Sequence, residues 1–196
     1  MSDIHGLEEL VSAVRILETE RCRLRPPSDE DRENVWTAAH HPSDITKGML
    51  WDPPEKKEVI DEWTKNSLKS WEQGDNLQWT ITDKETEEFL GRIVIRKQEN
   101  KDNVWYIGFW AHPDKQGKGY TTEAAKAVVD AAFQILGVQS IISSHATWNK
   151  GSGNVLLKVG MKYTGHNPAG FKKHGEDVPE EEYELTRTDW QKTKMQ

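Results

Sequence analysis

The segment Gln116-Gly117-Lys118-Gly119-Tyr120-Thr121 places two glycines directly before a predicted helix. Glycine lets the backbone turn tightly, so several main-chain N–H groups can point at one spot. The N-terminus of a helix adds donors that have no partner within the helix, together with about half a positive charge. This combination is typical of a site for an anion such as a pyrophosphate. Two glycines also shape many ordinary loops, and the segment alone leaves that alternative open.

Two better-known phosphate loops do not fit this segment. A P-loop needs a longer spacing between its glycines, followed by Lys-Ser or Lys-Thr, whereas only Lys118 separates Gly117 from Gly119. A dinucleotide-binding fingerprint needs a third glycine where this chain has Thr122. Neither of these nucleotide-binding patterns is therefore present.

A second segment runs from Asn149 to Met161, with the sequence Asn-Lys-Gly-Ser-Gly-Asn-Val-Leu-Leu-Lys-Val-Gly-Met. Together the two segments resemble the GNAT acetyltransferases, and within them the RimJ/RimL-like branch that acetylates protein N-termini and small amines. The glycine segment is similar to that family's coenzyme A loop, with Thr121 where Gly or Ala is usual. The second segment has Met161 where Phe is usual. The similarity extends over roughly residues 18–190.

The resemblance implies a site for acetyl-coenzyme A as co-substrate, and no metal. Main-chain groups of Trp110, Ala111 and His112 are expected to hold the pantetheine arm between two splayed strands, with an N–H near Trp110 polarising the acetyl carbonyl. The residues expected to hold the pyrophosphate are Gln116, Gly117, Lys118, Gly119, Tyr120 and Thr121. Asn149 and Ser152 match coenzyme-binding positions, and the Ser152 hydroxyl is expected to be catalytic by donating to the departing sulfur.

Simpler roles for two of these residues stay open, because Asn149 could shape a turn and Ser152 could cap the helix that follows. On the acceptor side we expect loops at His40–Pro54 and Asn167–Glu182. Trp51, in the first of them, is expected to bind the substrate, although tryptophans more often pack in a core.

The group that removes the amine proton is not identified by the sequence. Related sequences often have Glu in the strand where this chain has Tyr106. His112 and His145 have a suitable ordinary pKa, but such histidines are more often packed or exposed than catalytic. No base is therefore predicted.

Hydrophobic periodicity predicts strands alternating with helices along the chain. Helices are predicted at about residues 1–18, 55–71, 122–136 and 152–159, and strands at about 21–25, 79–82, 89–96, 104–111, 138–146 and 183–187. This order predicts an α/β (α+β) fold in layers. The resemblance implies a single mixed, mostly antiparallel central sheet flanked by helices, with a splayed strand pair holding the cofactor. We expect one N-acetyltransferase domain over residues 1–196, with a core at about 18–190.

Composition limits the possible partners and compartments. With 33 acidic and 26 basic residues the chain carries a charge of -7, which disfavours nucleic acid and mildly favours a cationic acceptor. No apolar run approaches the roughly 20 residues of a membrane span, and the first residues lack the order of a secretion signal. The single cysteine, Cys22, cannot form an internal disulfide. We therefore expect a cytoplasmic protein that contacts neither a membrane nor nucleic acid.

These observations predict an acetyl-CoA-dependent N-acetyltransferase in which a primary amine attacks the thioester directly in a ternary complex. A covalent enzyme intermediate is disfavoured, because Cys22 is distant along the chain from both motifs. The alternative is a non-catalytic acyl-CoA-binding sensor or partner protein of the same fold, suggested by Tyr106 in place of Glu. The choice of acceptor between a protein N-terminus and a small-molecule amine stays open. An acyl donor other than acetyl-CoA also stays open, as does the choice between a monomer and a homodimer.

Overall fold

A sheet of eight strands runs through the computed structural model, which describes residues 2–99 and 101–195. The strands are β1 Leu17–Glu18, β2 Cys22–Arg25, β3 Asn76–Asp83, β4 Phe89–Lys97, β5 Val104–Ala111, β6 Ser140–Ala146, β7 Lys162–Lys173 and β8 Glu176–Thr186. They lie in the order β1-β2-β3-β4-β5-β6-β8-β7. Neighbouring strands are antiparallel except for the parallel pair β5 and β6. The predicted mixed, mostly antiparallel sheet is confirmed.

Helices flank this sheet. Within the described ranges they are α1 Ser2–Ala13, α2 Arg32–Ala39, α3 Lys57–Gln73, α4 Tyr120–Gln134, α5 Lys150–Val159 and α6 Arg187–Lys194. The predicted first helix is too long, because it ends at Ala13 and Leu17 instead pairs with Leu24 in the β1–β2 hairpin. The part of that prediction that concerns Met1 lies outside the described residues. None of the helices in the described ranges is long and apolar enough to cross a membrane.

The central strands present two different faces, because side chains alternate along a strand. One face carries buried apolar side chains, namely Leu77, Trp79, Ile81, Ile93, Ile95, Trp105 and Ile107. Helix α4 packs on this face through Ala124, Ala125, Val128 and Val129, which are all buried. The other face carries Gln78, Arg92, Arg96, Tyr106 and Gly108 and lines an open groove next to α3. The main core therefore lies on one side of the sheet and leaves the other side for binding.

The predicted acceptor-side loop Asn167–Glu182 is largely a hairpin of β7 and β8. Most side chains of β7 are exposed, since it is the edge strand, so its sequence lacks the apolar alternation of a half-buried strand. Register shifts between Tyr163 and Gly165 and between Asn167 and Phe171 interrupt the pairing further. These irregularities explain why the segment does not look like a strand in the sequence.

Gly91 of β4 pairs with Ala111 of β5, and a Cβ there would be 2.3 Å from the carbonyl oxygen of Trp110. The substitution Gly91→Ala should push the two strands apart and lower the free energy of unfolding by about 1–3 kcal/mol, as overpacking usually does. In Gly165→Ala the new Cβ would meet only the Glu182 carboxylate, at 4.0 Å, so this control should stay within about 0.5 kcal/mol. Urea denaturation measures both, and equal midpoints would contradict the prediction.

Candidate active site

The parallel strands β5 and β6 pair over three residues and then separate. The paired residues are Val104 with Ser140, Trp105 with Ile141 and Tyr106 with Ile142, although both strands continue beyond them. Where they part, the Ser143 hydroxyl donates to the carbonyl oxygen of Ile107 at 2.8 Å. A side chain thus replaces the next main-chain bond, and a gap opens in the sheet. The predicted splayed strand pair is confirmed.

The hydrogen bonds between β4 and β5 identify the residues of β5 whose main chain faces away from this gap. The Gln98 N–H donates to the Val104 carbonyl at 2.8 Å, and the His112 N–H donates to the Leu90 carbonyl at 2.9 Å. In an antiparallel pair, alternate residues bond to the same neighbour. The main-chain groups of the even-numbered residues, including Trp110, therefore face β4. This corrects the prediction that Trp110 and His112 offer main-chain groups to the gap.

The odd-numbered residues of β5 face β6 and the gap. The Asn103 carbonyl accepts from the Gln139 N–H at 3.1 Å, at the end where the strands are still together. By the same alternation, Phe109 and Ala111 direct their main-chain groups into the gap. The Ala111 carbonyl already accepts a long bond of 3.4 Å from the Gln116 side chain. Ala111, which the sequence predicts to contact the pantetheine arm, therefore faces the gap, and so does Phe109, which the sequence did not single out.

The glycine loop leads directly into α4. Gly117 and Gly119 have φ angles of +75° and +84°, which favour glycine. The first helical bond of α4 runs from the Glu123 N–H to the Gly119 carbonyl at 3.0 Å. The N–H groups from Gly117 to Thr122 consequently have no acceptor among the described residues, whereas the Gln116 N–H bonds to the preceding turn at 3.3 Å. The run of unbonded N–H groups begins one residue later than the predicted loop.

A cluster of polar contacts behind the loop holds it against α4. Glu123 accepts hydrogen bonds from the Arg21 side chain at 2.8 Å and from the Thr19 hydroxyl at 2.5 Å. Arg21 also donates to the Lys118 carbonyl at 3.2 Å and lies over the Tyr120 ring at 4.7 Å. Burial alone would raise the pKa of Glu123, but the hydrogen bonds from Thr19 and Arg21 outweigh it and lower that pKa. Glu123 is therefore ionised and positions the start of the helix.

An open groove of about 320 Å³ lies between the gap, the glycine loop and the start of α5, and we call it the α4–α5 groove. The predicted coenzyme residues that line it are Trp110, Ala111, Gln116, Gly117, Thr121, Asn149 and Ser152. The other predicted residues, His112, Lys118, Gly119 and Tyr120, are not part of its lining. Segments that are distant in the sequence thus meet in one groove.

The N-terminus of α5 points at this groove. Asn149 is the N-cap, and its Oδ1 accepts from the Ser152 N–H at 3.2 Å. Ser152 lies inside the first turn, so the interpretation of Ser152 as the helix cap is wrong, and Asn149 has that role. The Ser152 hydroxyl has no hydrogen-bond partner within residues 2–99 and 101–195. It is available to a ligand beside the positive end of a helix dipole.

A second groove, of about 700 Å³, lies between α3 and the polar face of the sheet, and we call it the α3 groove. The indole ring of Trp51 packs there against the rings of Trp63 and Trp110, with centroid distances of 5.5 Å and 6.2 Å. Met49, Phe109 and Trp110 line both grooves. The two grooves therefore meet at the gap between β5 and β6.

Hydrogen bonds and an ion pair join the two predicted acceptor-side segments beside this meeting point. Lys173, near the turn of the β7–β8 hairpin, donates to the carbonyls of Met49 at 3.2 Å and Trp51 at 2.9 Å. It also pairs with the Asp52 carboxylate at 2.6 Å, and this bond is the main reason that the pKa of Asp52 is lowered. Residues far apart in the chain thus form one wall of the α3 groove.

Both histidines considered as bases have structural contacts. The His112 Nδ1 accepts a main-chain N–H at 3.3 Å, and burial lowers the pKa of His112. His112 lines neither groove. His145 is buried, its Nε2 lies 3.3 Å from the Tyr183 hydroxyl, and a Cβ on Gly153 would lie 2.5 Å from the same nitrogen. His145 does line the α3 groove, but Gly153 and Tyr183 enclose its Nε2, so the geometry favours packing roles for both histidines.

The match to a known domain covers these elements. The profile described as Acetyltransferase (GNAT) domain matches residues 21–162, which include the sheet gap, the glycine loop and Ser152. The chain belongs to the GNAT acetyltransferase family. The predicted family and its enzyme class, an acetyltransferase, are confirmed.

Relatives of this GNAT protein include two from Bacillus subtilis strain 168. The uncharacterized protein YkkB is 30% identical over 151 residues, which cover 76% of this chain and 86% of YkkB. The uncharacterized N-acetyltransferase YoaA is 27% identical over 150 residues, covering 76% of this chain and 84% of YoaA. The solved structure of the ribosomal-protein acetyltransferase RimL in complex with coenzyme A has a TM-score of 0.78 at 14% identity, covering 87% of this chain and 97% of RimL. That likeness shows the shared fold.

Cys22 is close to the glycine loop in space, although it is distant along the chain. Its Sγ lies 3.9 Å from the Tyr120 carbonyl oxygen. The side chain is fully buried, and burial raises the pKa of the thiol to about 11. Cys22 is therefore near the loop in the folded protein, but its burial and its raised pKa both disfavour covalent catalysis by its thiol.

This pKa predicts how Cys22 reacts. With a pKa of about 11, only about one thiol in a thousand is ionised at pH 8, and the thiolate is the reactive form. Native protein should react slowly with dithionitrobenzoate, faster as the pH rises, and completely in urea. Rapid labelling of one thiol per chain in the native protein at pH 7 would contradict the assignment.

Proposed function

We propose that this GNAT protein transfers the acetyl group of acetyl-CoA to a primary amine by direct attack within a ternary complex. The observation that carries the proposal is the meeting of two grooves at the sheet gap, where Met49, Phe109 and Trp110 line both. A thioester lying in the α4–α5 groove and an amine lying in the α3 groove would face each other at this point. Holding two reactants in contact lowers the entropic part of the barrier.

In this proposal the α4–α5 groove binds coenzyme A along its length. The unbonded N–H groups from Gly117 to Thr122 bind the diphosphate, helped by the dipole of α4. The main-chain groups of Phe109 and the N–H of Ala111 bind the pantetheine amides as an added strand would. The presence of coenzyme A in the structurally similar RimL supports this choice of ligand. Asn149 contributes mainly by fixing the start of α5.

Ser152 assists the departure of the sulfur. The amine nitrogen forms a bond to the acetyl carbon while the carbon–sulfur bond breaks, and the electron pair leaves on sulfur. A thiol has an ordinary pKa of about 8.5, so the leaving group needs a positioned hydrogen bond rather than a strong acid. The free hydroxyl of Ser152 and the N-terminal end of α5 both stabilise negative charge at that place.

Glu180 takes up the proton that the amine must lose before or during attack. It is the single carboxylate among the described residues that line the α3 groove. Its carboxylate accepts a hydrogen bond from the Ser144 hydroxyl at 2.7 Å, which fixes its position in the groove. A carboxylate is a common base for this step. Glu180 would replace the Glu that related sequences carry at the position of Tyr106.

Four broader assignments belong to the same proposal. We assign residues 1–196 to one acetyltransferase domain, and the acceptor to the RimJ/RimL-like range of protein N-termini and small amines. The composition favours a cytoplasmic protein without nucleic-acid or membrane partners. A monomer and a homodimer are both compatible with the residues that line the two grooves.

Gly119 tests the coenzyme site. Its φ of +84° makes alanine strained there, so Gly119→Ala should misalign the N–H groups of the loop and raise the Kd for coenzyme A by about tenfold. Gly137, at the other end of α4, has a similar φ of +71° and is the matched control. Both variants should lose about 1 kcal/mol of stability. Calorimetry should show weaker coenzyme A binding for Gly119→Ala alone. Equal Kd values in both variants would refute diphosphate binding by the unbonded N–H groups of the loop.

Replacing Ser152 tests the role of its hydroxyl in the departure of the sulfur. The variant Ser152→Ala should lower kcat by about tenfold, less than the loss of an oxyanion donor because a thiolate is a good leaving group. The KM for acetyl-CoA should change by less than about twofold. The control Ser12→Ala, in the exposed part of α1, should leave both constants unchanged. A screen of thiol release over diverse amines provides the assay, and turnover that survives Ser152→Ala with every amine would rule out this role.

A further inference from the structure

The α3 groove concentrates unsatisfied polar atoms. In the part of the chain that the structure describes, four buried side-chain atoms lack a hydrogen-bond partner: Ser67 Oγ, Asn76 Oδ1, Arg92 Nε and Arg92 Nη2. All three residues line the α3 groove. A buried polar group without a partner is destabilising and rare. Random packing defects would be scattered through the core, so their location in one groove indicates a ligand that satisfies them.

Arg92 has the strongest requirement for a partner. It is 3% exposed, and its nearest carboxylate oxygen, Asp31 Oδ2, lies 3.7 Å from Nη2, beyond hydrogen-bond distance. Asp31 is already engaged by Arg25 at 2.6 Å, by the Thr80 hydroxyl at 2.6 Å and by the Ser28 N–H at 3.0 Å. Asp31 therefore offsets part of the charge on Arg92 but leaves its Nε–Nη2 edge without an acceptor. This edge is the one that binds a carboxylate through two parallel hydrogen bonds.

The electrostatics of the groove agree with an anionic ligand. Two arginines, Arg92 and Arg96, line it against one carboxylate, Glu180, although the chain as a whole carries -7. Burial lowers the pKa of Arg92 to about 10, which means that its charge is not fully compensated by the protein. The Ser67 hydroxyl offers one more donor. Asn76 lies opposite Arg96, about 13 Å along β3 from the residue opposite Arg92, so its Oδ1 is an acceptor only for a more distant part of a longer ligand.

The position of Arg92 connects this anion site to the reaction. In the register of β4 and β5, Arg92 lies opposite Trp110, which lines both grooves. We propose that the acceptor is an amine that also carries a carboxylate, which the Nε–Nη2 edge of Arg92 binds while the amine reaches the gap. This assignment rests on the proposed function, because that function makes the α3 groove the acceptor side. The edge has almost no exposed surface, so neighbouring side chains must shift when the carboxylate enters.

The test compares ligands that differ only in the carboxylate. Wild-type protein, with and without coenzyme A, is titrated with amino acids and with their carboxamides, and binding is followed by calorimetry and tryptophan fluorescence. A second arm uses short peptides whose second residue is acidic or the corresponding amide. In one of the two arms we expect the ligand that carries the carboxylate to bind at least about tenfold more tightly than the matching amide. The arm that shows this preference identifies which carboxylate is bound, a free α-carboxylate or the carboxylate of an acidic side chain.

Variants then assign the preference to Arg92. The substitution Arg92→Met removes the charge at similar length and should bring the ratio of carboxylate to amide binding to within about twofold. Arg92→Lys keeps the charge without the two-pronged edge and should give an intermediate ratio. Arg23→Met is the control, because Arg23 is a strand arginine outside the lining of the α3 groove, 4.0 Å from Glu18, and it should keep the preference. Ser67→Ala should reduce the ratio by about threefold.

These measurements distinguish a failure of the Arg92 site from a failure of the proposed function. Equal binding of carboxylates and amides to the wild-type protein in both arms would overturn the proposal, whether or not any variant folds. A preference that survives Arg92→Met would also overturn it. The binding arms need no turnover, and coenzyme A binding is measured in the same series. Carboxylate preference without coenzyme A binding would therefore reject the proposed function and keep the Arg92 site, and the converse result would reject the Arg92 site alone.

Discussion

Parallel strands β5 and β6 lose their mutual hydrogen bonds after Tyr106 and Ile142, and main-chain groups beyond that point need other partners. The Ser143 hydroxyl satisfies one of them, at Ile107. The groups of Phe109 face open space, beside the N-termini of two helices. An extended chain of amides fits such a gap, because it can bond to the strand edge as a missing strand would. The position of both grooves follows from this separation.

A well-packed core on one face of the sheet makes the other face available for binding. The apolar side chains on the face covered by α4, such as Ile93, Ile95 and Ile107, are almost completely buried, and this packing stabilises the strands independently of what the opposite face carries. The opposite face can then hold features that weaken a protein, such as the buried Arg92 with its unpaired edge. Local destabilisation of this kind is common where a ligand binds.

Different parts of the site were predictable to different degrees. The glycine loop and the Asn149–Met161 segment were recognisable because loops that bind with main-chain groups need particular residues, above all glycine with positive φ. The gap-facing role of Phe109 was not recognisable, because it depends on which neighbour each residue of β5 bonds to. Arg92 shows the same limit, since an arginine in a predicted strand gives no sign that it is buried and only partly paired.

The sequence by itself determined the family, the α/β order of elements and the place of the coenzyme loop, because these depend on motifs and periodicity along the chain. The mostly antiparallel sheet followed only from the family resemblance. The sequence missed the long edge strand β7, whose exposed side chains lack alternation. Tertiary structure alone decided that Cys22 lies beside Tyr120, that Lys173 holds the loop around Trp51, and that unsatisfied groups collect in one groove. Those facts depend on contacts between distant segments, and burial and hydrogen bonding exist only after the chain has folded.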